Sequence, residues 1–577
     1  VARGEVLAAA GAPGDALFIV VRGLFAAGVA EARAGDLVGE AAFFGGEPHA
    51  ASVTALRDGE VLEISGTGYE ALVDSSPVLA GVFLGLVARR LHGAQAHPAM
   101  PQRGAARRAV ALVAGGDGLV PPAFFGRLRD RLARAGCLII DRASIADRFG
   151  ALSPDDPLVV EWLDRLEDEG GPVFYFGDPT LTDWTRRCLR QADEVVVAVS
   201  GEAPKGGLSP VETLVEALHP KQARRLVRLH GRRAGVVSGT AEWLARMPVF
   251  LHHHVSLEDD SDLDAVVRFL TGRAIGFVAG GGGGQGSAHV GIFRAFREHG
   301  GTFDIFMGSS VGASMVAGFA FLNEHEALTA GTHDIFVKSR SLKRPTWPRY
   351  ALLDHKVFDE ALARAFGPET RIEDCWKPYF AIATNLSANR MEIIRSGLLW
   401  HAVRASTAVP CALTPFFTED GTMLVDGGIM DDAPLGPMKA IKTGPNLIVH
   451  FGRSGEQRFD LAYENLPGRG RLLASLLNPR ARLPRAPRIM SMFVRTMLAH
   501  QRYELPLGPD DLELTPPALR GVSLLSFDRH LDVSSAAHAW ALKEIETRAQ
   551  AGDRALRAVL GAPADAGPAT EAHARAA

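Results

Sequence analysis

The segment Gly308–Ser309–Ser310–Val311–Gly312 limits what this chain can fold into more than any other stretch. Ile305–Phe306–Met307 before it reads as a strand end, and Val311 to Leu322 after it as an apolar helix of small residues. A strand that becomes a helix so abruptly passes through a sharp elbow, where flanking side chains would crowd the turn. Gly308 and Gly312 flank Ser310 at minus two and plus two, so the G-x-S-x-G register selects Ser310 and passes over Ser309. The N-terminus of the following helix favours negative charge on a serine oxygen. A glycine-rich turn opening a buried helix is the rival reading, and in a chain with 62 glycines the motif alone does not dismiss it.

Two further segments supply the other parts of an acyl-transfer site. Phe277–Val278–Ala279 runs into the tract Gly280 to Gly284, then Gln285 and Gly286. Gly281–Gly286 formally satisfies G-x-G-x-x-G, but glycines this dense make the match nearly automatic. Glu298 is too close downstream for a ribose contact, and no Gly-Lys-Ser/Thr ending marks a phosphate loop. Consecutive amides ahead of a helix equally make an oxyanion hole, which suits a serine elbow shortly downstream. Asp426–Gly427–Gly428 ends the strand-like Met423–Leu424–Val425 and presents a carboxylate, although Asp-Gly turns are common. A Ser-His-Asp triad needs a histidine beyond the acid; His450, His500, His530 and His538 carry no supporting motif, which favours a Ser310–Asp426 dyad.

On these residues the chain resembles a known family. Gly280–Gly291, Gly308–Ser314, Arg404–Pro415 and Asp426–Pro434 are similar to the patatin-like phospholipase domain. Leu181 to Asp193 is similar to a segment typical of the neuropathy target esterase branch of that family, and the likeness covers roughly residues 14 to 545. It implies a C-terminal patatin-like α/β hydrolase with a Ser310–Asp426 dyad and an oxyanion hole from the backbone of Gly281, Gly282 and Gly283. Gly286, Gly308, Gly312, Gly427 and Gly428 are its motif glycines, and the implied activity is hydrolysis of phospholipid or lysophospholipid acyl esters without metal or cofactor. Gln285 stands where arginine or lysine is usual, and Asp431 and Asp432 where asparagines are. None of the three is expected to touch the dyad, but all bear on the level of activity. The alternative is a catalytically weak or inactive patatin-like sensor or scaffold.

Residues 1–92 are expected to form a cyclic nucleotide-binding-like β-roll. Gly39 to Val53 resembles the phosphate-binding cassette of those domains, in which a glutamate holds the ribose hydroxyl and an arginine pairs the cyclic phosphate. Gly39 and Glu40 are present, but His49 occupies the arginine position. A mostly neutral imidazole cannot give a bidentate charged contact, so cyclic nucleotide is not expected to bind. Residues 93–108 read as a linker, 109–272 as a Rossmann-like α/β scaffold, 273–548 as the hydrolase, and 549–577 as a helical end with a disordered tail.

Length and charge agree with this division. A chain of 577 residues suits about three domains, and a net charge of −4 argues against general nucleic-acid binding. Cys137, Cys188, Cys375 and Cys411 are scattered without metal spacing, as suits a reducing cytoplasm. His252–His253–His254 reads as strand packing rather than a metal site. Apolar runs such as Val78 to Ala88 are too short to span a bilayer, and a start at Val1 suggests a trimmed chain. Arg469 to Arg495 holds seven arginines and no acid among leucines and methionines. It reads either as a peripheral contact with an anionic membrane or as solvated amphipathic helices.

Overall fold

A computed structural model of the chain describes residues 1–28, 30–32, 35–95, 109–117, 120–169, 171–233, 237–321, 325–451, 462–477, 492, 505–522 and 526–561. The chain forms two compact units, Val1–Arg273 and Ala274–Ala577.

The first unit opens with two small antiparallel sheets. Val6–Ala8, Val53–Ala55, Phe25–Ala27 and Ala30–Ala32 make one in that order; Leu37–Val38, Ala16–Arg22 and Glu60–Ser65 make the other. Phe18, Val20, Phe25 and Val53 are buried together inside this roll. The helix Pro77–Gln95 runs into the stretch expected to be a linker, of which residues 96–108 lie outside the described residues.

A six-stranded parallel sheet follows, in the order Leu251–Ser256, Arg224–His230, Glu194–Ser200, Ala109–Ala114, Val173–Phe176, Leu138–Ile140. Every residue of Ala109–Ala114 is buried, because helices cover both faces. Side chains alternate between those faces: Val113, Tyr175 and Val197 pack with Trp184, whereas Leu112, Phe174 and Val196 pack with Phe124. The strand Arg224–His230 escaped the sequence analysis because Arg224, Arg225 and Arg228 interrupt its apolar pattern. On Leu251–Ser256, His253 packs on Phe269 and His254 meets His230 of the next strand. The branch-typical segment is the helix Asp183–Gln191 and the turn after it, and its charges hold the roll: Asp193 pairs with Arg57 at 2.5 Å, and Arg187 with Asp58 at 3.1 Å.

The second unit is built on Phe416–Phe417, Met423–Asp426, Tyr379–Asn385, Ile305–Ser309, Gly276–Ala279, Asn446–Val449 and Leu512–Leu514, with Arg390–Ile394 paired to Tyr379–Asn385. One register positions the site. Tyr379–Asn385 pairs along one edge first with the elbow strand, running parallel, with Ser309 opposite Ile382. It then pairs with Met423–Asp426, running antiparallel, with Asp426 opposite Ala383. Two strands therefore arrive from opposite directions and end on adjacent positions of a third. Beneath them Phe277, Phe293, Phe303, Phe306 and Phe319 form an aromatic core, with the Phe293 and Phe319 rings stacked at 4.1 Å. The helix Ala288–Glu298 lies against the long helix His530–Gln550, so closely that a Cβ on Gly291 would come within 2.1 Å of the Ser534 carbonyl oxygen.

Of the arginine-rich stretch, Arg469–Leu477 is helical; Arg480, Arg482, Arg485, Arg488 and Arg495 lie outside the described residues, as does the expected tail from 562 onward. Among the described residues no helix is long and apolar enough to cross a membrane.

Candidate active site

Ser310 is the residue between the strand Ile305–Ser309 and the helix Val311–Phe321, and its φ is 54°. A left-handed backbone at a residue with a side chain costs about 1–2 kcal/mol, so the surrounding packing has to enforce it. A Cβ on Gly312 would lie 2.3 Å from the Ala279 carbonyl oxygen, and one on Gly308 2.6 Å from the Ala313 nitrogen. Ser309, by contrast, is wholly buried, with its hydroxyl packed under Gly427.

The head-to-head register brings the two expected side chains together. Ser310 Oγ donates to Asp426 Oδ2 at 2.6 Å, and the Gly428 N–H donates to Asp426 Oδ1 at 2.9 Å. The Asp426 N–H donates to the Ala408 carbonyl oxygen, and Thr384 Oγ1 to the Asp426 carbonyl oxygen. Ser406 braces the elbow: it accepts from the Ser310 N–H at 3.0 Å and donates to the Ile382 carbonyl oxygen at 2.5 Å. Ser406 and Ala408 belong to Arg404–Pro415, a segment noted in the sequence without a role for either residue. Burial pushes the Asp426 carboxyl up to about 7, against the Ser310 hydroxyl and the Gly428 amide, with the charge of Asp432 adding to the rise.

Asp432 makes a contact that the sequence did not show. The turn after Asp426 folds back, with the Asp431 N–H donating to the Gly427 carbonyl oxygen, and delivers the Asp432 side chain to the glycine loop. There Asp432 Oδ1 accepts from the Gly281 N–H at 2.9 Å. Asp432 thus makes no hydrogen bond to Ser310 or Asp426, as expected, but it binds the first oxyanion candidate and its charge acts on Asp426. Burial raises the Asp432 carboxyl, and raises Asp431 to about 6 with the Asp432 charge contributing. Gln285 turns away instead, donating to the Leu519 carbonyl oxygen at 3.0 Å and accepting from the Leu519 N–H at 3.2 Å.

The remaining glycines shape the loop. Gly282 has φ 154° and lies against Phe451, Gly283 begins a short 3-10 turn, and Gly286 lies against Val311. Gly427 packs on the Ile382 carbonyl. Among the downstream histidines, His450 Nε2 lies 2.6 Å from Glu513, His530 Nδ1 3.0 Å from the Phe527 carbonyl oxygen and His538 Nε2 2.7 Å from Glu298. His500 lies outside the described residues. In the roll, Gly39 has φ 86° and leads into the short helix Glu40–Gly45, with the buried His49 ring lying over it. Among the described residues no group of three His, Cys, Asp or Glu side chains could hold a metal ion.

Residues 277–439 match the family model of the patatin-like phospholipase, 108–273 that of the neuropathy target esterase family P-loop like domain, and 1–76 that of the cyclic nucleotide-binding domain. Patatin-like phospholipase domain-containing protein 7 of Rattus norvegicus is 30% identical over 370 residues, which is 58% of this chain and 27% of the rat protein. Lysophospholipase NTE1 of Cryptococcus neoformans is 28% identical over 484 residues, 72% of this chain and 30% of its own length. Patatin-like phospholipase domain-containing protein 6 of Pongo abelii is 27% identical over 509 residues, 80% of this chain and 37% of its own. The chain thus spans well under half the length of these relatives. By its three domain matches, in this order, and by these relatives, the chain is similar to the neuropathy target esterase-like branch of the patatin-like phospholipase family.

Proposed function

We propose that the second unit is a serine esterase acting on the acyl esters of phospholipids or lysophospholipids. The observation that carries this reading is the 2.6 Å hydrogen bond from Ser310 Oγ to Asp426 Oδ2 on a strained elbow. Ser310 Oγ attacks the ester carbonyl carbon while its proton passes to Asp426 Oδ2. The oxyanion is held by amides of the Gly281–Gly283 run. Collapse of the tetrahedral intermediate breaks the bond to the alcohol, which leaves with the proton from Asp426. Water then attacks the acyl-serine, Asp426 takes its proton, and the acid departs as Ser310 regains a hydrogen. A carboxyl raised to about 7 is a far better base near neutrality than an ordinary aspartate. The lipid class is supported by the printed names of the relatives, a phospholipase domain-containing protein and a lysophospholipase. A cytoplasmic setting fits the four free cysteines.

A second reading, a weak or inactive family member, has one observation in its favour: Asp432 occupies the Gly281 amide with a group that can carry negative charge. A fluorophosphonate probe separates the two. The esterase reading expects labelling of the unaltered protein and none of Ser310→Ala; an unlabelled protein that melts normally favours the second reading.

A further inference from the structure

Between Ile335 and Leu353 the sequence carries Lys338, Arg340, Lys343, Arg344 and Arg349 and no acidic residue. Every residue from Lys343 to Tyr350 is exposed. Two of them are large aromatics: Trp347 is 85% exposed, more than any other large apolar side chain described, and Tyr350 is 73% exposed. A soluble surface has no reason to hold an indole and a phenol out in water on the same turn.

The loop is held in shape. Pro345 bridges Leu353, the Thr346 N–H donates to the Leu352 carbonyl oxygen at 3.0 Å, and the Asp354 N–H to the Arg344 carbonyl oxygen at 2.9 Å. The result is a narrow hairpin with Trp347, Arg349 and Tyr350 at its tip, where the Arg349 guanidinium lies 5.3 Å over the Tyr350 ring. Its base is fastened beside the dyad: the N–H groups of Leu352 and Leu353 donate to the carbonyls of Cys411 and Ala412, and Ala408 of the same segment accepts from the Asp426 N–H. Lys338 is paired with Asp334 at 3.4 Å, and Lys343 lies 4.0 Å from Asp528. Arg340, Arg344 and Arg349 show no carboxylate partner among the described residues.

We propose that the hairpin Lys343–Leu352 docks the hydrolase unit on an anionic lipid surface, with Trp347 and Tyr350 at headgroup depth and Arg344 and Arg349 on the lipid phosphates. Trp and Tyr prefer the membrane interface because one end of each ring system is apolar and the other forms hydrogen bonds. Arginine brings a planar fork matched to phosphate. Arg344 and Arg349, with no carboxylate partner among the described residues, select a negative surface, and the aromatics select one into which rings can enter; together they favour a bilayer over an acidic protein. The choice of lipid rests on reading the neighbouring site as a lipid esterase, since the same segment carries the hairpin and hydrogen-bonds the backbone of Asp426.

The test is co-sedimentation of the full chain with vesicles of phosphatidylcholine alone or with about one-third phosphatidylserine. The expected result is binding that rises with phosphatidylserine and weakens as salt screens it over about 10 Å at 0.1 M. Each cation near an anionic surface is worth about fivefold in partitioning. Arg344→Gln with Arg349→Gln should therefore lose roughly 25-fold on anionic vesicles and most of the salt dependence. Trp347→Ala with Tyr350→Ala should lose binding to both vesicle types. As a readout that needs no truncated side chain, brominated lipid should quench the fluorescence difference between the unaltered protein and Trp347→Phe. Unaltered protein that stays in the supernatant, double variants that sediment unchanged, or a Trp347 signal untouched by bromine each overturn the proposal. Because binding is read without turnover, Ser310→Ala leaves this test intact, and a failed esterase assay is distinguishable from a failed docking.

Discussion

Each unit holds a sheet with a run of parallel strands, one of which ends in glycines, and the two strand ends are put to opposite uses. In the first, Ala109–Ala114 ends at Gly115–Gly116, and the Gly116 N–H donates to Glu212 at 3.1 Å. Glu212 is fully buried but also accepts from the Ser209 N–H at 2.8 Å and pairs with Arg246 at 2.7 Å. Burial pushes its carboxyl up, yet Arg246 and the two amides outweigh that and hold it below the usual range. In the second, Gly276–Ala279 ends at Gly280–Gly281, whose N–H meets Asp432, and the neighbouring elbow meets Asp426. Among the described residues no cation pairs with Asp426, and its carboxyl is raised to about 7. A crevice at the carboxyl ends of parallel strands invites a ligand in either sheet. In the first the chain has filled it with its own ion pair; in the second it holds a buried carboxyl with a raised proton affinity against the elbow serine, as the proposed chemistry needs.

The comparison breaks most plainly at the dyad. Ser310→Ala and Asp426→Ala should each cut hydrolysis of a soluble nitrophenyl ester by at least about 10³–10⁴-fold, general-base assistance alone being worth roughly 10²–10⁴. Because the groups act as a unit, the double variant should be scarcely slower than either single one. Losses that multiply in the double variant would separate the two roles. At the filled crevice the effect should fall on stability instead. Glu212→Gln strands the Arg246 charge, and losing one partner of a buried pair costs about 3–5 kcal/mol, visible as an earlier denaturant midpoint. Below its new melting point that variant should hydrolyse ester as before.

Smaller effects sharpen the contrast through pH. Asp426 has to be ionised to accept the proton, so kcat/KM should climb about tenfold per unit of pH and level off near 7. Stability should run the other way. The folded carboxyl holds its proton more tightly than the unfolded one, so the stabilisation is complete below about 4 and is lost as pH rises through about 7. Asp432→Asn removes a charge that raises Asp426; it should move the acid limb to lower pH, raising the rate several-fold near pH 6 and changing it little at pH 8. A variant no faster than the parent near pH 6 would free Asp432 of any braking role. Least of all should change in the roll: with His49 over Gly39, cyclic AMP or GMP should leave the melting temperature unmoved. A ligand at 100 times its Kd would add about 2.7 kcal/mol, which a melting curve resolves.

What the sequence disclosed was local. Gly308 and Gly312 could be read because the elbow's steric demand falls within five residues, and Asp426 because two glycines free its turn. The pairing of Ser309 with Ile382 and Asp426 with Ala383 could not, since register is decided between strands far apart in the chain. Ser406 and Asp432 were hidden for the same reason: their contacts are with residues 96 and 151 positions away. Arg224–His230 shows a different obscurity, a buried strand whose arginines meet partners no local pattern displays, as Arg225 meets Glu194 at 3.2 Å.

The close crossing of Gly291 by the helix His530–Gln550 sets a timetable. The helix that begins at the glycine loop finds its partner only across a separation such as the 240 residues between Glu298 and His538. At ribosomal speeds of about 5–20 residues per second, the loop waits on the order of 10–50 s after its own synthesis before that support exists. Long-range closure of this kind is slow in its own right. The elbow and Asp426 can meet earlier, so the contact between Ser310 and Asp426 can form while the glycine loop still lacks the helix that braces it.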